Sequence, residues 1–270
     1  MSTNQLPWQI KMFRRSLKKQ QKLKALLELL GDTHGKECLL VTCGDNNGAL
    51  NWYFREHGGT WTWADVSGEN NDQIAHLLGE PVLTLQEDRF ELPDGQFDCV
   101  VSIDVLEHLE QDQPFLSELK RVLKPGGKAV VTVPNGDDRL LANKIKWKLG
   151  MTPEVYGHTR AGYTVVELSD AIQNAGLHPN ASGGYSRFFT EMIELVINFG
   201  YVRVLSKKRG GAQPGHIAPV SSGELKTHGL AYRLYSFLFP LALAVSQLDR
   251  LMPRRTDNAV VVAAVKQGAP

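Results

Sequence analysis

Between residues 97 and 135 the apolar positions change period twice. Cys99, Val100, Val101 and Ile103 follow one another almost without a break, the pattern of a parallel strand buried on both faces. Phe115, Leu116, Leu119, Val122 and Leu123 then recur at helical spacing. Pro125, Gly126 and Gly127 are expected to end that helix, because proline cannot continue it and glycine accepts a left-handed turn. Residues 128–133 read as a second buried strand, and the right-handed crossover rule makes it parallel to the first. The whole is one βαβ unit.

The same reading places further strands at 38–42, 60–64, 82–85, 177–185 and 259–266, which makes the chain a doubly wound α/β protein. A helix with Leu17, Leu23, Leu26, Leu27 and Leu30 against the fold precedes them and ends at Gly31. Residues 138–149 suggest a basic amphipathic helix, and Thr164 with Glu167 forms a capping box that starts a helix ending at Gly176. The connection at 188–257 is long for two adjacent strands and holds two apolar helical stretches, 188–205 and 230–251, joined by a Gly/Pro/Ser-rich link at 207–223. The second stretch approaches the roughly 20 residues that cross a bilayer, but Arg233, Pro240 and Gln247 interrupt it. Three roles suit it: a lid over a greasy ligand, a helix lying on a membrane surface, or a subunit contact. The expected organisation is a basic N-terminal helix (1–35) packed on a core (36–187 and 258–270), with 188–257 as a helical insertion.

Composition refines this picture only slightly. With 42% hydrophobic and 22% charged residues in 270, the chain is an ordinary globular one, and a net charge of +1 does not point to nucleic acid. Lysines and arginines crowd positions 11–24, which reads as a solvated helix face. Cys38, Cys43 and Cys99 show no CxxC or Cys/His spacing, so neither a disulfide framework nor a metal site is expected, and a reducing cytoplasm is the default compartment.

FDCVVSIDVLEHL, then LKPGG, then a strand ending in Pro134 and Asn135 resembles the class I S-adenosylmethionine-dependent methyltransferases, nearest to the ubiquinone-biosynthesis group. The resemblance implies a Rossmann-like sheet of seven strands with the last strand antiparallel, and S-adenosylmethionine as cofactor. In that family an acidic residue and a G-x-G-x-G turn follow the first strand and hold the amino-acid end of the cofactor. Here Leu40 stands at the acidic position and Thr42 at the first glycine, while Gly44 keeps the central one and Asn46 or Gly48 supplies the third. Asp65, at the tip of the second strand, matches the ribose ligand, where a carboxylate can accept from both hydroxyls. Asp88, four residues before Leu92 and Pro93, matches the adenine contact. Backbone at Ser102 and Asp104 would pass beside the reactive methyl group.

Glu107 and His108 lie near the mouth of such a pocket. His108 is the candidate base for a hydroxyl acceptor, since a neutral imidazole takes a proton near neutral pH; a role in fixing the loop competes with it. His158, Arg160 and Tyr163 resemble an H-x-R-x-Y/F pattern found near the acceptor in many relatives, with one residue more before the tyrosine and with packing at the start of the next helix as the other account. The expected activity is methyl transfer to a small or lipid-linked acceptor, O-methylation preferred, with peripheral membrane contact through 188–257 at the inner face of a membrane. The departures at Leu40 and Thr42 keep open a second class, a non-catalytic binding or assembly module of the same fold at a membrane pathway. A nicotinamide-dependent oxidoreductase is disfavoured by LKPGG and by the missing G-x-G-x-x-G.

Overall fold

In the computed structural model, which describes residues 6–44, 46–200 and 229–268, seven strands form one sheet of order β3-β2-β1-β4-β5-β7-β6. The strands are β1 (Glu37–Thr42), β2 (Thr60–Asp65), β3 (Val82–Thr84), β4 (Phe97–Ile103), β5 (Leu123–Pro134), β6 (His178–Tyr185) and β7 (Ala259–Val265). The first five pair in parallel and β7 runs antiparallel between β5 and β6. Helices α1 (Trp8–Phe13), α2 (Leu17–Leu30), α3 (Ala49–Glu56), α4 (Asn71–Leu78), α5 (Asp112–Val122), α6 (Leu141–Lys148), α7 (Val165–Asn174), α8 (Phe188–Gly200) and α9 (Gly229–Ser246) surround it.

Strand alternation divides the core into two layers. Leu39, Val41, Val100 and Val131 point to one face and meet Phe115 and Leu119 of α5 and Leu168 and Ile172 of α7. Their neighbours Cys38, Leu40, Val101 and Val130 point to the other, against Ile10, Leu26, Phe54 and Ile74 of α1 to α4. Because α2 contributes fully buried Leu26 and Leu30, the N-terminal helix belongs to this second layer. Gly31, at φ +76°, ends it. Thr164 and Glu167 form the reciprocal capping box at the start of α7.

Three sequence expectations need correction. The helix α5 stops at Val122, three residues before Pro125, and the LKPGG segment lies in β5. Proline disfavours the helical region for Lys124, and the sheet takes up the freed backbone: Leu123 sits opposite Phe97, the Gly126 amide donates to the Lys266 carbonyl, and the Lys266 amide donates to Gly127. The helix expected over 138–149 begins only at Leu141, because Asn135, Asp137 and Asn143 tie residues 135–140 into a hydrogen-bonded loop. The lysine-rich face of α2 is not simply solvated: Lys22 is buried and paired with Asp104, and Lys18 meets the buried Glu191.

The segment between β6 and β7 is pinned at both ends. Asp249 accepts from the amides of Phe189 and Thr190, capping α8, and Arg187 pairs with Asp257 at 2.6 Å while donating to the Asp249 carbonyl. The helix expected over 188–205 is α8 as far as Gly200, and its remainder and the 207–223 link lie outside the described residues. The helix expected over 230–251 is α9 followed by a 3-10 turn, Gln247–Leu251. Among the described residues no helix is long and apolar enough to cross a membrane.

Candidate functional site

The sheet order reverses between β1 and β4, and the loops leaving their carboxyl ends define a crevice of the kind in which doubly wound sheets hold ligands. Thr42 ends β1 directly opposite Asp65, which ends β2. The Asp65 carboxylate is wholly buried and satisfied from within the chain. Its Oδ2 accepts from the Thr42 hydroxyl at 2.6 Å, and its Oδ1 accepts from the Ser67 amide, the Ser67 hydroxyl and the Gly68 amide, each at 2.9 Å. The Gly44 amide lies 3.1 Å from both oxygens. A carboxylate offers about four lone-pair sites, so this one is full.

The glycine turn is closed by side chains where the related turn has glycines. Asn46 donates to the Thr42 hydroxyl and to Asn51, and accepts from the Gly48 amide. Gly44 has φ +62°, a conformation that favours glycine, and a Cβ there would stand 3.1 Å from the Ser67 hydroxyl. Asp88 is exposed on the loop between β3 and β4. Ser102 is buried in β4, with its hydroxyl unpartnered.

Two side-chain hydroxyls, one on each oxygen of a buried carboxylate, are the arrangement that a ribose diol would make. Ser67 is exposed and can turn away, whereas Thr42 is buried. The donor set therefore fits one hydroxyl of a nucleoside diol by exchange with Ser67, while Thr42 holds the other oxygen.

Past β4 the chain turns sharply at Asp104, a non-glycine residue at φ +50°, whose amide donates to the Thr132 carbonyl and whose carboxylate pairs with Lys22 of α2. Glu107 is buried, and its carbonyl accepts from both the amide and the hydroxyl of Thr159. His108 Nδ1 lies 3.1 Å from the Gly157 carbonyl. A carbonyl only accepts, so Nδ1 carries the proton and Nε2 is left as an acceptor. The ring of His158 stands edge-on to His108 with centroids 4.9 Å apart, and burial, aided by the neighbouring His108, pushes its pKa down to about 4.

The ligand atoms of Glu107, His108 and His158 all lie within 4.8 Å of one another, close enough to hold a metal ion. Sequence spacing gave no sign of this set, because two loops some fifty residues apart in the chain supply it.

Arg160 and Tyr163, expected on the acceptor side, are engaged elsewhere. Arg160 donates to the carbonyls of Leu109 and Glu110 and to the Tyr163 hydroxyl, which in turn donates to Asp112 at 2.7 Å. Tyr163 is buried in the α5–α7 layer. These residues clamp the loop before α7 onto the start of α5, so of His158, Arg160 and Tyr163 the fold brings His158 alone to His108.

Sequence reasoning missed Ser67 and Gly68, although the DVSG segment after β2 is a recognisable Asx turn. It also missed Lys18 and Lys22, hidden in a charge run that looked solvated. Among the described residues an open cavity of about 570 Å³ lies beside Phe13, Leu23, Leu27 and Tyr53, and none of the residues at the sheet edge lines it.

Residues 39–131 match a family described as a methyltransferase domain. A Mycolicibacterium smegmatis protein named "Probable S-adenosylmethionine-dependent methyltransferase" is 38% identical over 86 residues, 32% of this chain and 30% of that protein. A ubiquinone biosynthesis O-methyltransferase of Cereibacter sphaeroides is 30% identical over 87 residues, 31% of this chain and 35% of the relative. The match thus spans about a third of the length of these curated relatives. A solved structure of a SAM-dependent methyltransferase from Thermotoga maritima has the same fold, with a TM-score of 0.54, 15% identity and coverage of 95% of this chain and 94% of that one.

Burial of His158 makes stability depend on pH. An unfolded histidine titrates near 6.5, so between there and about 4 the folded state binds fewer protons and loses stability as pH falls. The urea midpoint should drop from pH 7 to pH 5 by more in the wild type than in His158→Gln. Equal drops would show that His158 is not held neutral.

Proposed function

We propose that this chain, which carries a class I, S-adenosylmethionine-dependent methyltransferase domain over its parallel sheet, moves a methyl group to a small or lipid-linked acceptor, with an oxygen nucleophile preferred. The observation that carries this reading is the Asp65 carboxylate, buried at the switch point and bridged by two hydroxyls in the manner of a ribose diol. Asp65 would hold the ribose, Asp88 the adenine amino group, and the backbone at Thr42, Gly44 and Asn46 the amino-acid end, with Ser102 and Asp104 beside the reacting carbon. When bound, S-adenosylmethionine supplies a methyl group made electrophilic by a sulfonium.

The chain's own residues do the remaining work. The left-handed turn at Asp104 is fixed by the Thr132 carbonyl and Lys22, which holds the end of β4 in one place; such fixed alignment is a large part of any displacement rate. His108, oriented through Gly157, presents Nε2 to accept the proton of a hydroxyl acceptor. His158, kept neutral by burial, adds no competing charge beside it.

The lipid-linked form of the proposal rests on α9. Phe237, Leu241, Ala244, Leu248 and Leu251 recur at helical spacing and point outward, with Phe237 80% and Leu251 82% exposed. Arg233, Arg250, Arg254 and Arg255 are exposed around this stripe. An apolar face rimmed with arginine suits an anionic bilayer surface better than a lid, whose apolar side would turn inward.

Calorimetric titration with S-adenosylmethionine and its demethylated product should give micromolar binding of both, with no binding of a nicotinamide dinucleotide. Asp65→Asn, checked for folding by circular dichroism, should weaken both by about 1.5–3 kcal/mol for each charged hydrogen bond lost. No binding by folded wild-type protein would favour the non-catalytic module of the same fold. In flotation experiments the wild type should rise with phosphatidylglycerol vesicles and Phe237→Glu/Leu241→Glu should stay behind. Failure of the wild type to float, with or without anionic lipid, would contradict the membrane contact.

A further inference from the structure

The loop after β4 and the loop before α7 are tied to each other on both sides of His158. On one side the Gly157 carbonyl lies 3.1 Å from His108 Nδ1. On the other, the amide and hydroxyl of Thr159 donate to the Glu107 carbonyl at 2.8 and 3.0 Å, and the same hydroxyl donates to the Leu109 carbonyl at 3.0 Å. His158 is thereby set against Glu107 and His108. One ligand atom from each of the three lies within 4.8 Å of the other two. The clamp uses His108 Nδ1 and the Glu107 backbone, and leaves His108 Nε2 as an acceptor.

This is how a preformed cation site is built. A ring nitrogen that donates to a backbone carbonyl fixes the tautomer and the plane of the imidazole, so that its second nitrogen faces a fixed point. Packing of rings accounts for the edge-on contact of His108 and His158, at 4.9 Å between centroids, but asks for no carboxylate beside them. Glu107 is fully buried, and a carboxylate removed from water gains more from a cation than an exposed one does. Donors about 2.1 Å from a tetrahedral ion stand roughly 3.4 Å apart, so these three need to close by little more than 1 Å. Two imidazoles and one carboxylate suit zinc and its borderline neighbours, whereas magnesium and calcium prefer all-oxygen shells.

We propose that Glu107, His108 and His158 bind a zinc-type divalent cation between the two loops. Three protein donors leave a coordination position open to water or to an oxygen of a ligand. His108 Nε2 can serve a cation or a proton but not both, so in the loaded protein the cation's pull on a hydroxyl proton stands in place of the base. The site goes beyond the methyl-transfer reading and does not depend on it.

The test is calorimetric titration of the full-length protein, free of any affinity tag and stripped of metal with a chelator, with zinc chloride and in parallel with magnesium chloride. Zinc should bind at one ion per chain, and magnesium should not compete for the site. His158→Gln and His108→Gln, each shown to be folded by circular dichroism, should weaken zinc at least about tenfold. His34→Gln, an exposed position in the turn before β1, should bind as the wild type does. Absent zinc binding, zinc binding equal in the wild type and both site variants, or magnesium binding as tight as zinc would overturn the proposal. Should one site variant not fold, the other decides. Titration of the same preparation with the demethylated cofactor product keeps the two readings apart: zinc bound without the product would contradict methyl transfer and leave the cation site standing, and product bound without zinc would do the reverse.

Discussion

The arrangement of this molecule turns on one buried carboxylate. Asp65 ends a central strand, is fully removed from water, and is stable there because five donor groups converge on its two oxygens. One donor comes from the end of β1, one from the glycine loop, and three from the Asx turn after β2. Removing the carboxylate would leave three partly buried amides and the buried Thr42 hydroxyl without an acceptor at once, so the loop geometry at the switch point depends on it. In the proposed reading the same group would anchor a nucleoside, and structure and ligand would then compete for the same lone pairs.

A second constraint operates at the same edge, just past β4. There the chain turns through a left-handed aspartate, and helices α2, α6 and α8 are held over it by ion pairs rather than by apolar packing alone. Such pairs add little net stability when both partners are buried, but they specify position. Their value here is that Lys22 fixes Asp104 while Gly157 fixes the tautomer of His108. The outward apolar stripe of α9 lies on the same segment between β6 and β7 as the capped start of α8, and Asp249 ties its far end to that cap.

The sheet was legible because its signals are periodic and local. Apolar runs bounded by glycine and proline marked β1, β4 and β7, and the capping box at Thr164 marked the start of α7. The LKPGG segment misled because proline and glycine stop a helix without saying what the chain does next; its fate was set by Phe97 and Lys266, which are remote in sequence. For the site, Asp65 and Gly44 could be found from position at strand ends, whereas the contribution of Lys22 and the meeting of Glu107, His108 and His158 depend on loops and helices that only folding brings together. Arg160 and Tyr163 matched a pattern and still serve packing, because a motif records residue types and not which neighbours claim their hydrogen bonds.

The central claim is that the Thr42 hydroxyl occupies an acceptor site on Asp65 that a ribose hydroxyl would otherwise take. Comparing the affinity of wild type and Thr42→Gly for the demethylated cofactor product tests it most directly. Freeing one hydrogen-bond site, at about 1 kcal/mol, should tighten binding roughly fivefold. Equal or weaker binding by a folded variant would contradict the account and show that Thr42 supports the carboxylate without competing for it.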